Sequence, residues 1–545
     1  MYILGIGPGI KLGHHDSSAV LIKDNKIVAA CEEERFLNEK KARARFPKKS
    51  IEFCLRKAGI NISDVDIVAS PLITYDNYNK RIELLFKFHF GYSPKVELYH
   101  HHLCHAASSY YLSGYSDSLI MTIDYSGDSS SGLIAKGSGR EIEVIKYFDR
   151  NNSIGVFYSM ITQFLGFEAH NDEYKVMGLA SYGNPNFINE MKKILYLKDG
   201  EPFFDTSFHR RFTNPEIYTT DFTTFQEMSF NEKLINILGE PRKNGEEITQ
   251  RHKDIAASLQ KQTEEVVLSI LEGYSNISEN FCFAGGLALN CKLNHEIIKT
   301  NKFKGFFVQP AAGDAGVSLG AALLSSVSLG INEFDTNNIV YLGLEYSNEE
   351  IKNYLDLYKL NYEFVQDSAK VAARLIFEDK IVGWFQGRSE WGPRALGNRS
   401  ILANPTKKEM KDIVNKNIKF REEFRPFAPA VIKESQHKYF FNCIDDPYMV
   451  TLANVTDHAK KTIPAVVHSD NTARIQTVFR DKNDLFWQLI KNIGELTGEE
   501  VVLNTSLNLN GQPLCARLSE AIKAFFTSGM DYLILGNYIL KKVKK

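Results

Sequence analysis

Residues 118–148 read SLIMTIDYSGDSSSGLIAKGSGREIEVIKYF, and this stretch decides the fold class. An apolar run ends at Asp124, a loop rich in Ser and Gly follows, and the residues after it predict a β-hairpin. A similar pattern opens the chain, where YILGIGPG (2–9) precedes HHDSSAVLIKDNKIVAACEEE (14–34). Two copies of a strand, an acidic or Gly-rich loop and a hairpin predict a duplicated α/β fold with a ligand between the halves. Two unrelated hairpins would look much the same.

The rest of the chain predicts two domains. A length of 545 residues exceeds what one hydrophobic core usually supports. FCFAGGLALNCKLN (281–294) and VQPAAGDAGVSLGAALLSS (308–326) each predict a strand, a Gly-containing turn and a helix, and the segment from Ile255 predicts a longer amphipathic helix. The character of the sequence changes near residue 345. We therefore predict a first domain at 1–345, with an aromatic and polar inserted lobe at 184–244, and a second α/β domain at 346–545.

Composition excludes several classes of protein. The formal net charge is -1, from 65 basic and 66 acidic residues, which argues against a nucleic-acid binder. No apolar run approaches the roughly 20 residues of a membrane span, and MYILGIGPGI lacks the features of a signal peptide. The seven cysteines are scattered without a CxxC motif, which favours free thiols over a disulfide framework. We expect a cytoplasmic protein without a membrane or nucleic-acid partner.

The stretch HHHLCHAASSYY (100–111) is the first candidate for a metal site. On a helix, residues four apart share a face, which pairs His101 with His105 and leaves His100 and His102 elsewhere. Histidines of the surface or core are the alternative for such a pair. Asp124 ends a predicted strand, and Asp314 lies in a second Gly-flanked loop. Two histidines and two aspartates form a mixed N/O set that suits Fe, Mn or Zn.

Ten ordered motifs resemble those of O-carbamoyltransferases of the NodU/CmcH family over essentially the whole length. They are HDSSA (15–19), EEERF (32–36), HHLCHAASS (101–109), EYKVMGLASYG (173–183), FAGGLALNCKLN (283–294), PAAGDAGVSLGAA (310–322), GPRALGNRSILANP (392–405), KFREEFRPFAPAV (419–431), ARIQTV (473–478) and LNTSLNLNGQP (503–513). The resemblance implies a duplicated ASKHA-type N-terminal domain followed by a smaller YrdC-like α/β C-terminal domain. It also implies formation of a carbamoyl adenylate from carbamoyl phosphate and ATP in the second domain, and carbamoyl transfer to a hydroxyl in the first.

The resemblance assigns site residues in both domains. The implied metal ligands are His101, His105, Asp124 and Asp314, for Fe²⁺ or else Mn²⁺ or Zn²⁺, while Mg²⁺ accompanies ATP. The expected catalytic residues of the first domain are His15, as general base, and Lys40, as a neutralising charge. The expected nucleotide ligands of that domain are Gly127, Lys175, Gly285, Gly286 and Asn290.

The second domain is rich in cations, which a site for carbamoyl phosphate and a triphosphate needs. The cations of its motifs are Arg388, Arg394, Arg399, Lys419, Arg421, Arg425 and Arg474. The resemblance places four of them, together with two polar residues, in the carbamoyl-phosphate and ATP site: Arg394, Lys419, Arg425, Arg474, Asn504 and Ser506. The segment GQPLCARLSEAI departs from the family pattern at Ala516 to Leu518, which leaves the edge of this site open.

Two other functions remain as alternatives at this stage. An ASKHA-type sugar kinase would explain the first domain, but it would leave the Arg-rich second domain without a role. An enzyme like those of threonylcarbamoyl-adenosine tRNA modification would need a basic surface. The acceptor, a hydroxylated small molecule or sugar, is not given by the sequence, although aromatic residues of the 184–244 lobe suit stacking on a ring. A homodimer is compatible with the sequence.

Overall fold

The computed structural model describes residues 1–9, 14–210 and 229–542. The chain divides into two compact units. Unit 1 comprises Met1–Pro71, Asn79–Leu98 and Asp314–Lys545, and unit 2 comprises Leu72–Tyr78 and Tyr99–Gly313. The predicted boundary near residue 345 lies inside unit 1, and the division into domains 1–345 and 346–545 stays a prediction.

The first residues of the chain form a five-stranded sheet. Its strands are β1 (Tyr2–Ile6), β2 (Ser18–Lys23), β3 (Lys26–Glu32), β4 (Ile67–Pro71) and β5 (Lys95–Tyr99). The order across the sheet is β3-β2-β1-β4-β5, with β1 antiparallel to β2, β2 antiparallel to β3, and β1 parallel to β4. The central strands are buried almost throughout, as expected of a sheet that is covered on both faces.

The middle of the chain forms a second five-stranded sheet and a separate hairpin. The strands of this region are β6 (Asp117–Gly127), β7 (Ser130–Ser138), β8 (Glu141–Asp149), β9 (Leu195–Lys198), β10 (Glu201–Phe204), β11 (Asn280–Ala284) and β12 (Gly305–Val308). The sheet has the order β12-β11-β6-β7-β8, whereas β9 and β10 pair only with each other among the described strands. Strands β6 to β8 are antiparallel neighbours, and β11 is parallel to β6.

The two five-stranded sheets share one topology, which confirms the predicted duplication. In each sheet the first three strands form an antiparallel meander, and the fourth strand pairs in parallel with the first. The last strand lies beside the fourth in both sheets. Residues 118–148 are therefore the second copy of the pattern that opens the chain, and the fold is a duplicated α/β fold.

Helices occupy the connections between these strands. In chain order they are α1 (Glu34–Leu37), α2 (Lys48–Ala58), α3 (Tyr78–Phe90), α4 (His101–Tyr110), α5 (Ile154–Phe164), α6 (Glu173–Leu179), α7 (Ile188–Ile194), α8 (Glu232–Leu238), α9 (Gln250–Tyr274), α10 (Cys291–Lys299) and α11 (Val317–Ser328). Helix α9 confirms the helix predicted around Ile255. Helix α11 packs on β1, β2 and β4, and a Cβ atom at Gly5 would lie 1.9 Å from the Ser318 carbonyl oxygen.

The last part of unit 1 contains an eight-stranded mixed sheet and a small three-stranded sheet. The strands are β13 (Glu363–Phe364), β14 (Val382–Phe385), β15 (Arg399–Ala403), β16 (Ala428–Ile432), β17 (Phe440–Phe441), β18 (Ala453–Val455), β19 (Thr472–Ala473), β20 (Gln476–Val478), β21 (Val501–Ser506), β22 (Tyr532–Leu535) and β23 (Tyr538–Lys541). The large sheet has the order β13-β23-β22-β14-β15-β21-β16-β20 and the small one β17-β18-β19. This confirms a second α/β region after the duplicated one.

Helices cover the eight-stranded sheet and complete two apolar cores. These helices are α12 (Asn348–Leu357), α13 (Ser368–Phe377), α14 (Met410–Val414), α15 (Gln436–Tyr439), α16 (Asp457–Thr462), α17 (Asp484–Thr497) and α18 (Leu518–Phe526). Helices α13 and α17 pack together in the core that contains Trp384 and Phe486. The other core contains Phe385, Phe427 and Phe525. Loops between the strands are thereby fixed at both ends.

The inserted lobe is described only in part. Helix α7, the β9–β10 hairpin and α8 lie within 184–244, and the lobe as a unit stays a prediction. Phe204 is buried, and Phe203 packs against Tyr196 with ring centroids 5.0 Å apart. The other aromatic residues that the sequence singled out, Tyr218, Phe222 and Phe225, lie outside the described residues. All seven cysteines are free. No helix in the described parts of the chain has both the length and the apolar character that a membrane crossing requires.

Candidate functional site

Helix α4 carries the two histidines that the sequence paired. Asp128 accepts a hydrogen bond from the backbone N–H of His101 at 2.7 Å, and the N-cap residue His100 accepts one from His102 N–H at 3.3 Å. One turn apart, His101 and His105 bring their Nε2 atoms to 3.1 Å from each other. Two imidazole nitrogens at this distance repel each other unless a proton or a cation lies between them. The predicted i, i+4 pairing is therefore present, and it brings two imidazole nitrogens to one point.

Asp124 lies in the long strand β6, and its carboxylate faces the His101–His105 pair. Its Oδ2 atom is 3.2 Å from His105 Nε2 and accepts a hydrogen bond from Gly286 N–H at 2.8 Å. Burial alone would raise the pKa of Asp124, but the hydrogen bond from His105 and the charges of His105 and His101 lower it well below its usual range. The carboxylate is thus held in its ionised form, which is the form that binds a cation.

Asp314 completes a cluster whose donor atoms fit a divalent cation. One potential ligand atom from each of His101, His105, Asp124 and Asp314 lies within 4.8 Å of all the others. Two neutral imidazoles and two carboxylates form a mixed N/O donor set with two negative charges, which suits a borderline or hard divalent metal. Both histidines are buried, whereas the two aspartates are intermediate in exposure. The donor chemistry therefore supports a metal-binding cluster at the residues that the resemblance assigned.

Two glycines of unit 2 make room for this cluster. A Cβ atom at Gly127 would lie 2.3 Å from the imidazole ring of His101. A Cβ atom at Gly155 would lie 2.6 Å from the carbonyl oxygen of Asp124. Gly127 was predicted as a nucleotide ligand, and the structure places it next to the His101 ring of the candidate metal-binding cluster. Its part in nucleotide binding stays a prediction.

The other two histidines of the stretch lie outside the cluster, as predicted. His102 Nδ1 is 3.0 Å from Thr122 Oγ1, and His102 Nε2 is 3.2 Å from the Ser130 carbonyl oxygen. Burial, followed by the charges of His101 and His105, lowers the pKa of His102 well below its usual range. His102 is therefore a neutral core histidine that ties α4 to β6 and β7. The His100 ring packs against Tyr147, with ring centroids 4.5 Å apart.

His15 lies in a group of charged residues within unit 1. Its Nδ1 atom is 2.8 Å from Asp16 Oδ2 and 3.9 Å from Asp314 Oδ2. Burial and Lys41 lower the His15 pKa, but Asp16 and Asp314 outweigh them and raise it. Lys41 Nζ lies 3.6 Å from Asp16 Oδ2. The lysine that the sequence predicted for this neighbourhood is the adjacent residue, Lys40. The roles of His15 and Lys40 stay predictions.

The remaining nucleotide ligands predicted for the first domain have varied surroundings. Gly285 has φ of +87°, and a Cβ atom there would lie 2.3 Å from the Ile123 carbonyl oxygen, so this turn requires glycine. Asn290 caps α10 and exchanges hydrogen bonds of 2.9 and 3.1 Å with Gln260. Lys175 Nζ is 2.9 Å from Asp172 Oδ2. Gly286 N–H donates to Asp124 Oδ2 at 2.8 Å, and nucleotide binding by these residues stays a prediction.

Lys419 is the buried cation of the second α/β region. Its side chain, only 3% exposed, donates to the Ser506 carbonyl oxygen, to Ser506 Oγ at 3.3 Å, and to the Asn508 carbonyl oxygen and Oδ1 at 3.1 and 2.8 Å. Burial, together with the charges of Arg421 and Arg425, lowers the Lys419 pKa well below its usual range. The predicted pair of Lys419 and Ser506 is thus brought together. An anion bound here would stabilise the charged ammonium.

Arg394 lies in a loop that buried amides and a carboxylate hold in place. Glu390 Oε1 accepts hydrogen bonds from the backbone N–H groups of Leu396, Asn398 and Arg399 at 2.8, 2.9 and 3.1 Å. Asn504 Nδ2 donates to the Ala395 carbonyl oxygen at 3.2 Å and to Gln476 Oε1 at 2.8 Å. The predicted residue Asn504 therefore supports the backbone next to Arg394.

The other predicted cations of this region are separated along the chain. Arg425 Nη1 lies 3.7 Å from Glu422 Oε2, and the Arg425 backbone accepts from Asn415 Nδ2 at 3.2 Å. Arg474 follows β19 and is intermediate in exposure. Ligand binding by Arg394, Arg425, Arg474, Asn504 and Ser506 stays a prediction.

Three other arginines of this region, which the resemblance did not place in the site, bond to neighbouring groups of the protein. Arg399 donates to the carbonyl oxygens of Gln386, Asn398, Leu344 and Gly387, and burial lowers its pKa to about 10. Arg388 donates to the carbonyl oxygens of Val28 and Leu342. Arg421 donates to Asn415 Oδ1 at 2.7 Å and lies over the Phe427 ring.

The segment that departs from the family pattern begins α18. Glu520 Oε2 accepts hydrogen bonds from Ala516 N–H at 3.0 Å and Arg517 N–H at 3.1 Å. The Arg517 guanidinium donates to Glu520 Oε1. Cys515 is buried, and its N–H donates to the Leu507 carbonyl oxygen at 2.9 Å. These residues therefore cap a helix.

Comparison with known proteins covers both α/β regions. A family model described as Carbamoyltransferase N-terminus matches residues 7–83 and 68–323. A second model, described as Carbamoyltransferase C-terminus, matches residues 373–542. Together these two matches span most of the chain, including the metal-binding cluster and the Lys419 region.

Individual relatives are similar over different lengths. Nodulation protein NolNO of Sinorhizobium fredii is 35% identical over 585 aligned residues, which cover 99% of this chain and 83% of the relative. The 3'-hydroxymethylcephem-O-carbamoyltransferase of Streptomyces clavuligerus is 34% identical over 261 residues, which cover 48% of each protein. Among solved structures, full-length HypF in its phosphate- and nucleotide-bound form matches 61% of this chain and 56% of its own, with 13% identity and a TM-score of 0.37.

Proposed function

The chain belongs to the carbamoyltransferase family, and from this premise we propose that it is an ATP-dependent O-carbamoyltransferase with two separate steps. In the first step, water hydrolyses carbamoyl phosphate to carbamate and phosphate, and an oxygen of the carbamate attacks the α-phosphorus of ATP. Pyrophosphate leaves, and a carbamoyl adenylate forms. In the second step, an acceptor hydroxyl attacks the carbamoyl carbon, and the bond to AMP breaks. Phosphate, pyrophosphate and AMP are therefore the expected by-products.

The environment of Lys419 is the observation that carries the first step. Lys419 is buried among the oxygens of Ser506 and Asn508, and burial together with the charges of Arg421 and Arg425 lowers its pKa, so a nearby anion would favour the ammonium form. The proposal places the phosphate groups of carbamoyl phosphate and ATP at Lys419, Arg394, Arg425 and Arg474, with Mg²⁺ on the ATP. Asn504 and Ser506 hold the loops that carry these cations.

The second step is proposed at the cluster of His101, His105, Asp124 and Asp314. A divalent metal bound there would supply Lewis-acid chemistry and an anchor for phosphate oxygens. Fe²⁺ is the proposed ion, with Mn²⁺ and Zn²⁺ as alternatives. His15 takes the proton of the acceptor hydroxyl at Nε2, because Asp16 engages Nδ1 at 2.8 Å and orients the ring. The glycine turn at Gly285 and Gly286 lets backbone approach the adenylate.

The acceptor belongs to a broad class in this proposal. The relatives that match the chain include a carbamoyltransferase named for a hydroxymethylcephem and proteins named for nodulation. We propose a hydroxylated small molecule or sugar as the acceptor, with the 184–244 lobe contributing to its recognition. A cytoplasmic location is consistent with the free cysteines.

A single assay tests the first step. Purified protein is incubated with ATP, Mg²⁺ and carbamoyl phosphate without acceptor, and pyrophosphate, phosphate and ADP are measured. The proposal predicts pyrophosphate that depends on carbamoyl phosphate. Release of ADP without pyrophosphate would contradict the proposal and indicate a kinase.

A further inference from the structure

A buried ion pair near the start of the chain forms hydrogen bonds with the backbone of the loop that carries Arg394. Glu32, the last residue of β3, is 5% exposed, and Arg35 in α1 is 3% exposed. Arg35 Nη2 donates to Glu32 Oε1 at 3.0 Å, and Arg35 Nε donates to Glu32 Oε2 at 3.2 Å. This two-point contact fixes the direction of both side chains.

Both poles of the ion pair bind one residue of the distant loop. Gly392 N–H donates to Glu32 Oε1 at 2.9 Å, and Arg35 Nη2 donates to the Gly392 carbonyl oxygen at 2.8 Å. Gly392 has φ of +106°, a backbone conformation that favours glycine. Pro393 follows with a fixed φ angle, and Arg394 comes next. The direction in which the chain enters Arg394 therefore depends on the ion pair.

The far end of the same loop is held independently. Glu390 Oε1 binds the N–H groups of Leu396, Asn398 and Arg399, and Asn504 supports the Ala395 carbonyl oxygen. Before Arg394, the backbone is held by the contact at Gly392 and by the hydrogen bond from Trp391 N–H to the Val340 carbonyl oxygen at 2.6 Å. The ion pair thus acts on the backbone that positions this guanidinium.

Stability alone is a poor explanation for this arrangement. A buried ion pair often contributes little compared with apolar side chains of the same volume, because removing the charges from water is costly. Burial lowers the Arg35 pKa, but the charges of Glu32 and Glu34 outweigh it and raise the pKa, so Arg35 remains a cation. What apolar side chains could not reproduce is the simultaneous grip on an N–H and a C=O group of Gly392.

We propose that Glu32 and Arg35 are positioning residues for Arg394 in the formation of the carbamoyl adenylate. The pair sets the Arg394 guanidinium where it binds phosphate oxygens of carbamoyl phosphate. This role rests on the proposed function and adds to it two residues from the opposite end of the chain.

The test compares two variants of the full-length protein. Glu32→Gln removes the charge that binds Gly392 and Arg35. Lys57→Met is the matched control, because Lys57 Nζ pairs with Glu345 Oε2 at 3.0 Å and its recorded ion pair does not involve the Arg394 loop. Initial rates of pyrophosphate formation are measured against carbamoyl phosphate. We expect Glu32→Gln to raise the KM for carbamoyl phosphate roughly tenfold or more, since a misplacement of about 1 Å is costly, while Lys57→Met keeps the wild-type KM.

A double-mutant cycle distinguishes positioning from general support. In an Arg394→Lys background, Glu32→Gln should have little further effect on the KM, because the role of Glu32 passes through the Arg394 guanidinium. The same fold-change in both backgrounds would overturn the positioning role. If Glu32→Gln does not fold, Arg35→Lys gives the same cycle, since it keeps the charge and loses the two-point contact.

Failure of this role and failure of the proposed function give different results. Wild-type protein that forms pyrophosphate, together with a Glu32→Gln variant of unchanged KM, overturns the positioning role alone. Wild-type protein that forms no pyrophosphate overturns the proposed function and the positioning role with it.

Discussion

The metal-binding cluster and the cation-rich loops obtain their functional groups in different ways. The cluster draws His101 and His105 from one helix and Asp124 from a long strand, and regular elements set their spacing. The cations come from loops and from the helical turn Asn415–Lys419 that follows α14, where Lys419 precedes Phe420 with φ of +46°. On a helix, residue type and spacing are therefore sufficient to identify candidate ligands. In loops, the same residue types act either as ligands or as supports of the backbone.

The largest effect is expected from removing a ligand of the cluster. Asp314→Ala should lose bound divalent metal and lower carbamoyl transfer by more than about a hundredfold, because even indirect supporters of metal ligands cost ten- to a hundredfold. Metal content by mass spectrometry and carbamoylated product measure the two effects. His100→Gln is the matched control, since His100 lies beside the cluster without belonging to it. A variant of full metal content and normal transfer would contradict the assignment.

A second prediction separates two arginines that are five residues apart. Arg399→Met should lower the free energy of unfolding by about 3 kcal/mol, because it leaves buried carbonyl oxygens without their donor. Arg394→Met should cost less of this free energy than Arg399→Met, because Arg394 is only half-buried, and it should stop pyrophosphate formation. Urea denaturation and the pyrophosphate assay, applied to both variants, check the contrast. Equal destabilisation by the two substitutions would mean that both arginines are structural.

A third prediction concerns the space beneath the metal ligands. Gly127→Ala should displace the His101 imidazole, because a Cβ atom there would lie 2.3 Å from the ring. Metal affinity should fall by about tenfold or more. Gly273→Ala is the control, since a Cβ atom at that helical position meets nothing within 4 Å. Titration of the apoprotein with Mn²⁺ or Zn²⁺ measures both variants, and an unchanged affinity would show that the ring can yield.

The smallest effect is a change in proton binding at Lys419. Because its pKa is lowered in the free protein, part of the population is neutral at alkaline pH, and a bound phosphate dianion raises the pKa again. Binding of carbamoyl phosphate should therefore take up protons, and affinity should fall as pH rises through the lowered pKa. Calorimetry in buffers of different ionisation enthalpy measures the uptake, which Lys419→Met should abolish. Uptake that persists in this variant would assign the proton to another group.

The two regions also differ in how well the sequence predicted them. The repeated sequence pattern at 2–34 and 118–148 predicted the duplication, because strands and turns are encoded by local sequence. The pairing of His101 with His105 followed from helix geometry. The role of Lys40 as a neutralising charge stays a prediction, and the adjacent Lys41 lies 3.6 Å from Asp16.

Among the cations, Arg388, Arg399 and Arg421 lie outside the set that the resemblance placed in the site. Arg388 and Arg399 donate to backbone carbonyl oxygens, which any residue can supply, and Arg421 donates to Asn415 Oδ1. In unit 2, Asn290 after the Gly-Gly turn caps α10 and pairs with Gln260, and its part in nucleotide binding stays a prediction. A sequence pattern does not record which polar groups a side chain has already satisfied.

The central claim is that the cluster and the cations serve separate steps. The most direct test is exchange of labelled pyrophosphate into ATP, in the presence of carbamoyl phosphate and without acceptor, by His105→Ala and Arg394→Ala. The claim predicts that His105→Ala exchanges pyrophosphate at close to the wild-type rate, whereas Arg394→Ala does not exchange it. Loss of exchange in His105→Ala, with the fold intact, would contradict the separation and place both steps at one site.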